Sequence, residues 1–379
     1  MKKDSILNFL SSVLVIIVGL LIGFIILLIS DRSQAGPAFW TILSFGAVSM
    51  RNVGNVLLLA TPIILTGLSV AFAFKTGLFN IGASGQFTIG AFVAIYIGVE
   101  FTFLPPGLRI LLAVVAATLF GALWGAIPGL LKAYRNVHEV ISSIMTNYIG
   151  MFFVNYMIMN GLVIRFFFTD SRFRILNPIF DQGRGTTTRL PESSHLPTLG
   201  LGNIFRDEVR SSHVNIGIII AILVAILIYI ILEKTTFGYE LKACGFNKDA
   251  AKYAGINQNK NIVFSMMISG ALAGLAGALN YLSATGLSMN IVDVLALEGF
   301  TGISVAFLAL SHPIGVIFSG ILVAYLYLGG DRMQGFGFST EIIEMVIGII
   351  IYFCAFVFLV KSFLLRKSNK LVEPKEETR

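Results

Sequence analysis

The sequence predicts an all-α integral membrane protein with about ten transmembrane helices. Of its 379 residues, 56% are hydrophobic and only 12% are charged, and the mean hydropathy is +0.86. A soluble domain carries about a quarter charged residues, so this composition excludes an ordinary soluble fold. The formal net charge of +7 reflects Lys and Arg in the loops next to a bilayer and is no indication of nucleic-acid binding.

The predicted helices are apolar segments of about 20 residues, the length that crosses a bilayer. The first segment is too long for the core of a signal peptide and has no clear cleavage site, so we expect it to be retained. Segments three and eight begin with polar, Gly-rich sequence. The ten segments are residues 7–29, 55–74, 79–99, 109–131, 140–163, 214–232, 262–283, 295–310, 313–330 and 340–360.

The distribution of basic residues predicts that both termini are cytoplasmic. An even number of helices places them on one side, and with that side inside the cell all 13 lysines are cytoplasmic. The count is then 16 basic residues inside against 11 outside, and seven of the 11 lie in one long outer loop, 164–213. Without that loop the ratio is 16 to 4, as the positive-inside rule requires.

The predicted organisation is one transmembrane domain, residues 1–363, and a polar cytoplasmic tail, residues 364–379. The two cysteines, Cys244 and Cys354, are far apart in the sequence, and we expect no structural disulfide.

The two halves of the chain are loosely alike. GLFNIGASGQ (77–86) and EGFTGISVA (298–306) are polar, Gly-rich helix starts at matching positions, so segments 2–5 and 7–10 are predicted to be inverted repeats. Such interrupted segments indicate a transport pathway. For the small residues of segment seven, in Gly270-x-x-x-Gly274 and Ser269-x-x-x-Ala273-x-x-x-Gly277, we favour close helix packing instead.

A polar insert of roughly 28 residues, 234–261, separates segments six and seven and carries five lysines. Asn247 is a predicted N-cap and Gly255 a predicted stop of a short helix. On that helix Phe246, Ala250 and Tyr253 are predicted to share one face, at i, i+4 and i+7. We interpret the insert as a docking element; the alternative is a solvated connecting loop.

Polar residues at membrane depth are costly and are candidates for a pathway. Asn80 and Ser84 are predicted to share a face from which Gln86 points away. Asn147 and Asn155 share another face, with interhelical hydrogen bonding as the alternative role. Glu298 opens segment eight; it lines a pathway, or it is an interfacial carboxylate favoured by the helix dipole. The pathway candidates are therefore Asn80, Ser84, Gln86, Asn147, Asn155 and Glu298.

Motifs for catalysis are scarce. The sequence has no Gly-Lys pair for a phosphate-binding loop, no H-E-x-x-H and no C-x-x-C, so we expect neither catalytic residues nor a metal site. The one enzyme signal is G-A-S-G at 82–85 with a distant His312, which loosely matches rhomboid-type intramembrane serine proteases. Such a serine needs its histidine within hydrogen-bond reach.

Four stretches resemble one transporter family: GLSVAFAFKTGLFNIGASGQFTIGAF (67–92), TTFGYELKACGFNKDAAKYAGI (235–256), SGALAGLAGA (269–278) and GISVAFLALSHPIG (302–315). They are similar to ABC-importer permeases of the ribose and branched-chain amino acid type, and most to the nucleoside-uptake subfamily. The resemblance spans roughly 55–360. The residues that match the family's cytoplasmic ATPase-coupling element are Glu240, Gly245, Asn247, Ala250, Ala251 and Gly255.

The resemblance implies a bacterial multi-pass membrane permease, embedded in lipid, that transports nucleosides by alternating access. Its implied partners are ABC ATPase subunits, a second related permease and an extracellular substrate-binding lipoprotein, with no nucleic acid. It needs no cofactor of its own, because the partner subunits bind ATP. Four residues depart from the family pattern: Ser84, Lys242, Cys244 and Phe246, the last three of which are expected at the ATPase contact. A proton-coupled secondary transporter using Glu298 or Glu344 remains the alternative, and a rhomboid-type protease a remote one.

Overall fold

The computed structural model describes residues 2–165, 172–208, 210–286, 288–354, 356–357 and 359–362, and the predicted tail, 364–379, lies outside them. Most of the described chain is helical. Its helices are α1 (Lys2–Ser30), α2 (Ala35–Ser44), α3 (Met50–Lys75), α4 (Ala83–Glu100), α5 (Pro106–Arg135), α6 (Glu139–Asn160), α7 (Leu201–Ile204), α8 (Gly217–Lys234), α9 (Thr236–Phe246), α10 (Lys248–Tyr253), α11 (Gln258–Tyr281), α12 (Leu297–Leu308), α13 (Pro313–Asp331) and α14 (Thr340–Cys354).

All ten predicted segments are helical, and the all-α membrane fold is confirmed. Within the described residues, seven helices are long and apolar enough to cross a membrane: α1, α3, α4, α5, α8, α11 and α13. Two findings differ from the prediction. The helix α2 was not predicted, because ten residues are too few for a span. Segment eight, predicted as 295–310, is only the 12-residue α12, about 18 Å long, and is too short to cross the hydrocarbon core.

The helices pack with the symmetry expected of two repeats. In the first half, α4 and α5 pack against α11; in the second half, α12 and α13 pack against α3. The two leading helices, α3 and α11, also pack against each other. Each repeat therefore places its second and third helices against the first helix of the other, and this exchange holds the halves together.

Small residues allow the closest of these contacts, as predicted for segment seven. A Cβ on Gly274 would lie 2.5 Å from the Ala117 carbonyl oxygen, and one on Gly270 would meet the carbonyl oxygen of Gly121. Ser269 instead hydrogen-bonds to Ser69 on α3 (Oγ to Oγ, 2.9 Å). Because dispersion contacts and hydrogen bonds replace the hydrophobic effect in lipid, such close backbone approach is a main source of stability.

The outer loop, whose fold could not be inferred from the sequence, forms two short antiparallel hairpins. Strand β1 (Leu162–Arg165) pairs with β2 (Arg172–Leu176), and β3 (Phe180–Asp181) pairs with β4 (Thr186–Thr187). The loop is tied to the helix assembly by Ser194, whose hydroxyl donates to the Gly98 carbonyl oxygen (2.7 Å). It lies at the opposite end of the helices from α9 and α10, which we call the insert side.

We expect Gly274→Val to lower the stability of the protein by about 1–3 kcal/mol, the usual cost of overpacking, because its branched side chain forces α5 and α11 apart. The check is the midpoint of thermal unfolding of the full chain in detergent. Gly348→Val on α14 is the matched control, since a Cβ there meets nothing within 4 Å. Equal midpoints for the two variants would contradict the packing argument.

Candidate functional site

A cavity of about 520 Å³ lies where the two repeats meet. Its walls come from α3, α4, α6, α11, α12 and α13 and from the extended chain that joins α11 to α12. Much of the wall is apolar, with Leu59, Ile63 and Met151 among its residues. Its polar side chains are Thr88, Asn155, Asn280, Tyr281, Asn290, Glu298, Thr301, Tyr327 and Asp331.

Residues 289–296, the non-helical chain directly before α12, contribute one wall of the cavity, and the outer loop holds this wall in place. The Thr187 backbone N–H donates to the Met289 carbonyl oxygen (2.9 Å), and the Met289 N–H donates to the Thr187 hydroxyl (3.0 Å). From α6, the Asn155 amide donates to the Val292 carbonyl oxygen (3.2 Å) and to the Asp293 carboxylate (3.1 Å). Non-helical backbone at membrane depth requires such hydrogen-bond partners, so these bonds hold the wall in a defined position.

Two helix N-termini meet beside the cavity. The Ser84 hydroxyl, in the first turn of α4, donates to the Ala296 carbonyl oxygen (2.6 Å), just before α12 begins. A Cβ on Gly299 would clash with the Ser84 backbone nitrogen, so only glycine permits this approach. The contact places Glu298, in the first turn of α12, at the cavity wall.

The cavity suits a small solute with an apolar face and polar edges. The Thr301 and Tyr327 hydroxyls lie 3.4 Å apart, and the Tyr281 ring packs against Phe87 with a centroid distance of 6.4 Å. Hydroxyls and amides both donate and accept hydrogen bonds, whereas the carboxylates only accept when ionised. A few polar groups within apolar walls can orient a bound solute, as in most small-molecule sites.

Of the six pathway candidates, Asn155 and Glu298 line the cavity and the others do not. Asn147 is buried and bridges to the start of α4: its Oδ1 accepts from the Gly85 N–H (2.8 Å) and its Nδ2 donates to the Ile81 carbonyl oxygen (2.9 Å). In this conformation Asn147 therefore has the interhelical role that was its alternative.

The prediction that Asn80 and Ser84 share a face was wrong. Asn80 precedes α4, where helical periodicity does not apply, and it pairs reciprocally with Gln86 (2.8 and 3.2 Å). Asn80 also donates to Ser269 on α11 (2.6 Å), while Ser84 points to α12. The Asn80 and Gln86 side chains are both completely buried, so they stabilise the irregular start of α4 in this conformation.

Sequence reasoning missed Asn280, Tyr281, Thr301 and Tyr327. Each lies in or at the end of a predicted apolar segment, and polar groups at membrane depth are the signal that identifies functional positions. Tyrosine is easily overlooked because its ring suits an apolar helix, although its hydroxyl requires a partner.

A second concavity, of about 470 Å³, lies on the insert side between α9 and α10; we call it the insert groove. Among the predicted coupling residues it is lined by Glu240, Phe246, Asn247, Ala250 and Ala251. The caps were predicted correctly, since the Asn247 side chain accepts from the Ala250 N–H (3.0 Å) and Gly255 has a φ of +80°. Glu240 accepts a hydrogen bond from Asn261 on α11 (3.1 Å).

The predicted single face of Phe246, Ala250 and Tyr253 was wrong in detail. Phe246 ends α9, and the extended backbone at Asn247 starts a separate helix, so the i, i+4, i+7 spacing does not apply. Phe246 and Tyr253 are nonetheless 91% and 95% exposed, so the insert presents two large apolar side chains to its surroundings.

Two of the departures from the family pattern do not lie on this exposed surface. Cys244 is buried, and Lys242 forms an ion pair with Glu233 at the end of α8 (2.9 Å). Phe246 is the departure that is exposed at the insert groove.

Gly245 connects the insert to the core. A Cβ on Gly245 would lie 2.5 Å from the Lys75 carbonyl oxygen and 3.0 Å from the Gly77 nitrogen. Gly77 itself has a φ of +72° and faces Gly245. The insert therefore rests directly on the turn between α3 and α4, and that turn leads to Asn80 and Ser84.

The protease arrangement is not assembled. Ser84 packs against Gly299 near the start of α12, whereas His312 follows the end of that helix, about 14 Å further along its axis. The His312 Nδ1 accepts from the Gly315 N–H (3.4 Å) as a helix cap. Burial and the Lys75 ammonium lower the pKa of His312. The serine and the histidine thus have separate structural partners.

Comparison with known proteins decides the family. The model of the branched-chain amino acid transport system permease component matches residues 52–355. The chain belongs to this family. No solved structure matches the permease significantly.

Curated relatives cover nearly the whole permease. It is 39% identical to the guanosine ABC transporter permease protein NupP of Bacillus subtilis, over 90% of this chain and 91% of the relative. It is 36% identical to the nucleoside ABC transporter permease protein NupB of Lactococcus lactis, over 96% and 94%. A glucose ABC transporter permease protein of Haloferax volcanii is 27% identical over 80% and 76%.

Four Asn→Cys variants test which amides contact water in the cavity, in a background with Cys244→Ser and Cys354→Ser. We expect a small polar thiol reagent to modify cysteines at 155 and 280 at least tenfold faster than those at 80 and 147. The first pair lines the cavity and the second pair is buried. Equal rates for all four, in purified permease without ATP, would show that the cavity is not where water enters.

The role of Asn80 and Ser84 in other conformations stays a prediction. The same labelling in the presence of the partner subunits and ATP tests it: a cysteine at 80 or 84 that becomes reactive lines the pathway in that state.

Proposed function

We propose that this permease is the membrane subunit of an ATP-driven importer for nucleosides. The observation that carries the proposal is the direct contact between Gly245 of the insert and the turn before α4. It provides a mechanical route from an exposed surface to the helix junction beside the cavity. The substrate class follows from the two relatives named for guanosine and nucleoside transport.

The cavity chemistry is compatible with a nucleoside. Ribose hydroxyls and base edges form hydrogen bonds with amides, hydroxyls and carboxylates, and a base stacks well on tyrosine. Hydrogen bonds from single amides and hydroxyls are individually weak. Weak binding suits an importer subunit, because an external binding protein supplies the affinity and the permease has to release the substrate.

The partners act at opposite ends of the permease in this proposal. An ATPase subunit docks on the insert groove, and it buries Phe246 and Tyr253, since burial of exposed apolar area favours association. The insert side is then cytoplasmic, as the positions of the lysines predict. The outer loop faces the extracellular lipoprotein, and a second related permease completes the complex.

Coupling follows the chain through three contacts. Movement of α9 displaces the turn at Gly77 through Gly245. Asn80 follows directly after that turn, and its side-chain amide donates a hydrogen bond to Ser269 of α11. The chain then continues into α4, where Ser84 holds the start of α12. Closure of the ATPase subunits is thereby transmitted to the wall that carries Glu298.

We expect Ala250→Asp to abolish substrate-stimulated ATP hydrolysis by the assembled complex while membrane insertion stays intact. The new carboxylate would be desolvated without a partner in the ATPase contact, which is costly. The measurement is ATP hydrolysis by reconstituted complex with and without substrate and binding protein.

Asn259→Asp is the matched control. It adds the same charge on the insert side, at an exposed position in the first turn of α11 that does not line the insert groove. Normal stimulation in the Ala250→Asp complex would refute the docking surface.

Proton coupling is the competing mechanism, and it is favoured by the position of Glu298 in the cavity wall. If ATP drives transport, collapse of the proton gradient in vesicles loaded with ATP leaves initial uptake nearly unchanged, and Glu298→Gln alters rate or affinity without abolishing uptake. Glu344 lies exposed on α14, outside the residues that line the cavity. Uptake that stops with an uncoupler while ATP remains high would establish the secondary transporter instead.

A further inference from the structure

The cavity carries acidic groups without basic counterparts. Glu298 and Asp331 both line it, and none of the described residues in its wall is Lys, Arg or His. A solute in the cavity therefore meets two carboxylates, that of the half-buried Glu298 and that of the exposed Asp331.

The meeting of two helix N-termini would ordinarily favour an anion. Free backbone N–H groups and aligned peptide dipoles attract negative charge at the start of a helix, and interrupted helices in transporters use this to bind anionic substrate groups. Here α4 and α12 both begin within contact distance, at Ser84 and Gly299. Glu298 lies in the first turn of α12 and lines the cavity. The chain's own carboxylate thus lies at the helix start, where an anionic substrate group would otherwise bind.

We propose that Glu298 determines the specificity of this cavity: it accepts hydrogen bonds from adjacent N–H groups of an uncharged substrate and excludes phosphate esters. This inference rests on the proposed function. A carboxylate has two acceptor oxygens, which match two neighbouring donors such as the N1–H and the exocyclic amino group of a guanine base. A phosphate ester bound in this cavity would lie near two carboxylates, and the described wall has no basic side chain to balance its charge.

The proposed role of Glu298 predicts different binding strengths for three purine ligands. Guanosine offers both donors, inosine lacks the exocyclic amino group, and guanosine 5′-monophosphate keeps both donors but adds a phosphate. The expected order of binding is guanosine first, inosine weaker by about threefold or more, and the monophosphate weaker by at least about tenfold.

The test uses the permease assembled with its ATPase subunits in lipid nanodiscs, without the extracellular binding protein, because that protein has its own selectivity. The readout is protection of Asn280→Cys against a polar thiol reagent, in the background with Cys244→Ser and Cys354→Ser. Concentrations of the three ligands that halve the labelling rate are compared.

Glu298→Gln removes the charge and keeps the size of the side chain. We expect guanosine to protect about tenfold less well in this variant and the monophosphate to protect as well as guanosine does. Glu298→Asp keeps the charge and should still exclude the monophosphate, which shows that the site is folded. Glu344→Gln removes the same charge outside the cavity and should retain the native order.

If the Glu298→Gln variant still prefers guanosine over the monophosphate as strongly as the native complex does, the assignment to Glu298 is overturned and the proposed function still stands. Absence of protection by any nucleoside in the native complex would overturn both. A monophosphate that protects the native complex as well as guanosine would also refute the exclusion of phosphate esters.

Discussion

The contact between the starts of α4 and α12 is the constraint on which the rest of the structure depends. Ser84 and Gly299 meet so closely that Gly299 has no room for a side chain. The contact fixes where each interrupted segment becomes helical, and it determines which residues of α12 face the cavity. It also joins the two repeats at the point where the irregular stretches before these helices come together.

Irregular backbone inside a bilayer is tolerated only where its polar groups have partners, and the stretches before α4 and α12 each meet this requirement. In the stretch before α4, the Asn147 amide donates to the Ile81 carbonyl oxygen, and the side chains of Asn80, Gln86 and Ser269 bond to one another. The stretch before α12 is satisfied by Asn155 and by the outer loop through Thr187. The two stretches differ in their partners. The stretch before α4 lies beside a buried network of amide side chains near the insert, and the stretch before α12 is a cavity wall that bonds to the outer loop. In the proposed mechanism, the first stretch receives the force from the insert and the second contacts the substrate.

The prediction of the fold succeeded where composition and periodicity carry the information. The apolar segments emerged as helices because the length and hydropathy of a span are local properties. The short α12 was not separated from a full span, since apolar residues of the extended chain before it, such as Val294 and Leu295, resemble helix sequence. The helix start at Asn247 was predicted correctly, but Phe246 was wrongly assigned to the same helix, because the spacing of Phe246 and Ala250 also fits one continuous helix.

The sequence by itself determined the membrane class, the position of the segments, the caps of the insert and the family. Only the tertiary structure decided which polar residues share a site. Asn155 and Glu298 come together with Tyr281 and Tyr327 because helices from both repeats converge around one cavity, and no local pattern encodes that convergence. Asn80, Gln86 and Asn147 have the same chemistry and depth, but their hydrogen bonds are used within the fold. Residue type indicates which side chains are costly in a membrane, whereas packing decides whether the protein or a substrate satisfies them.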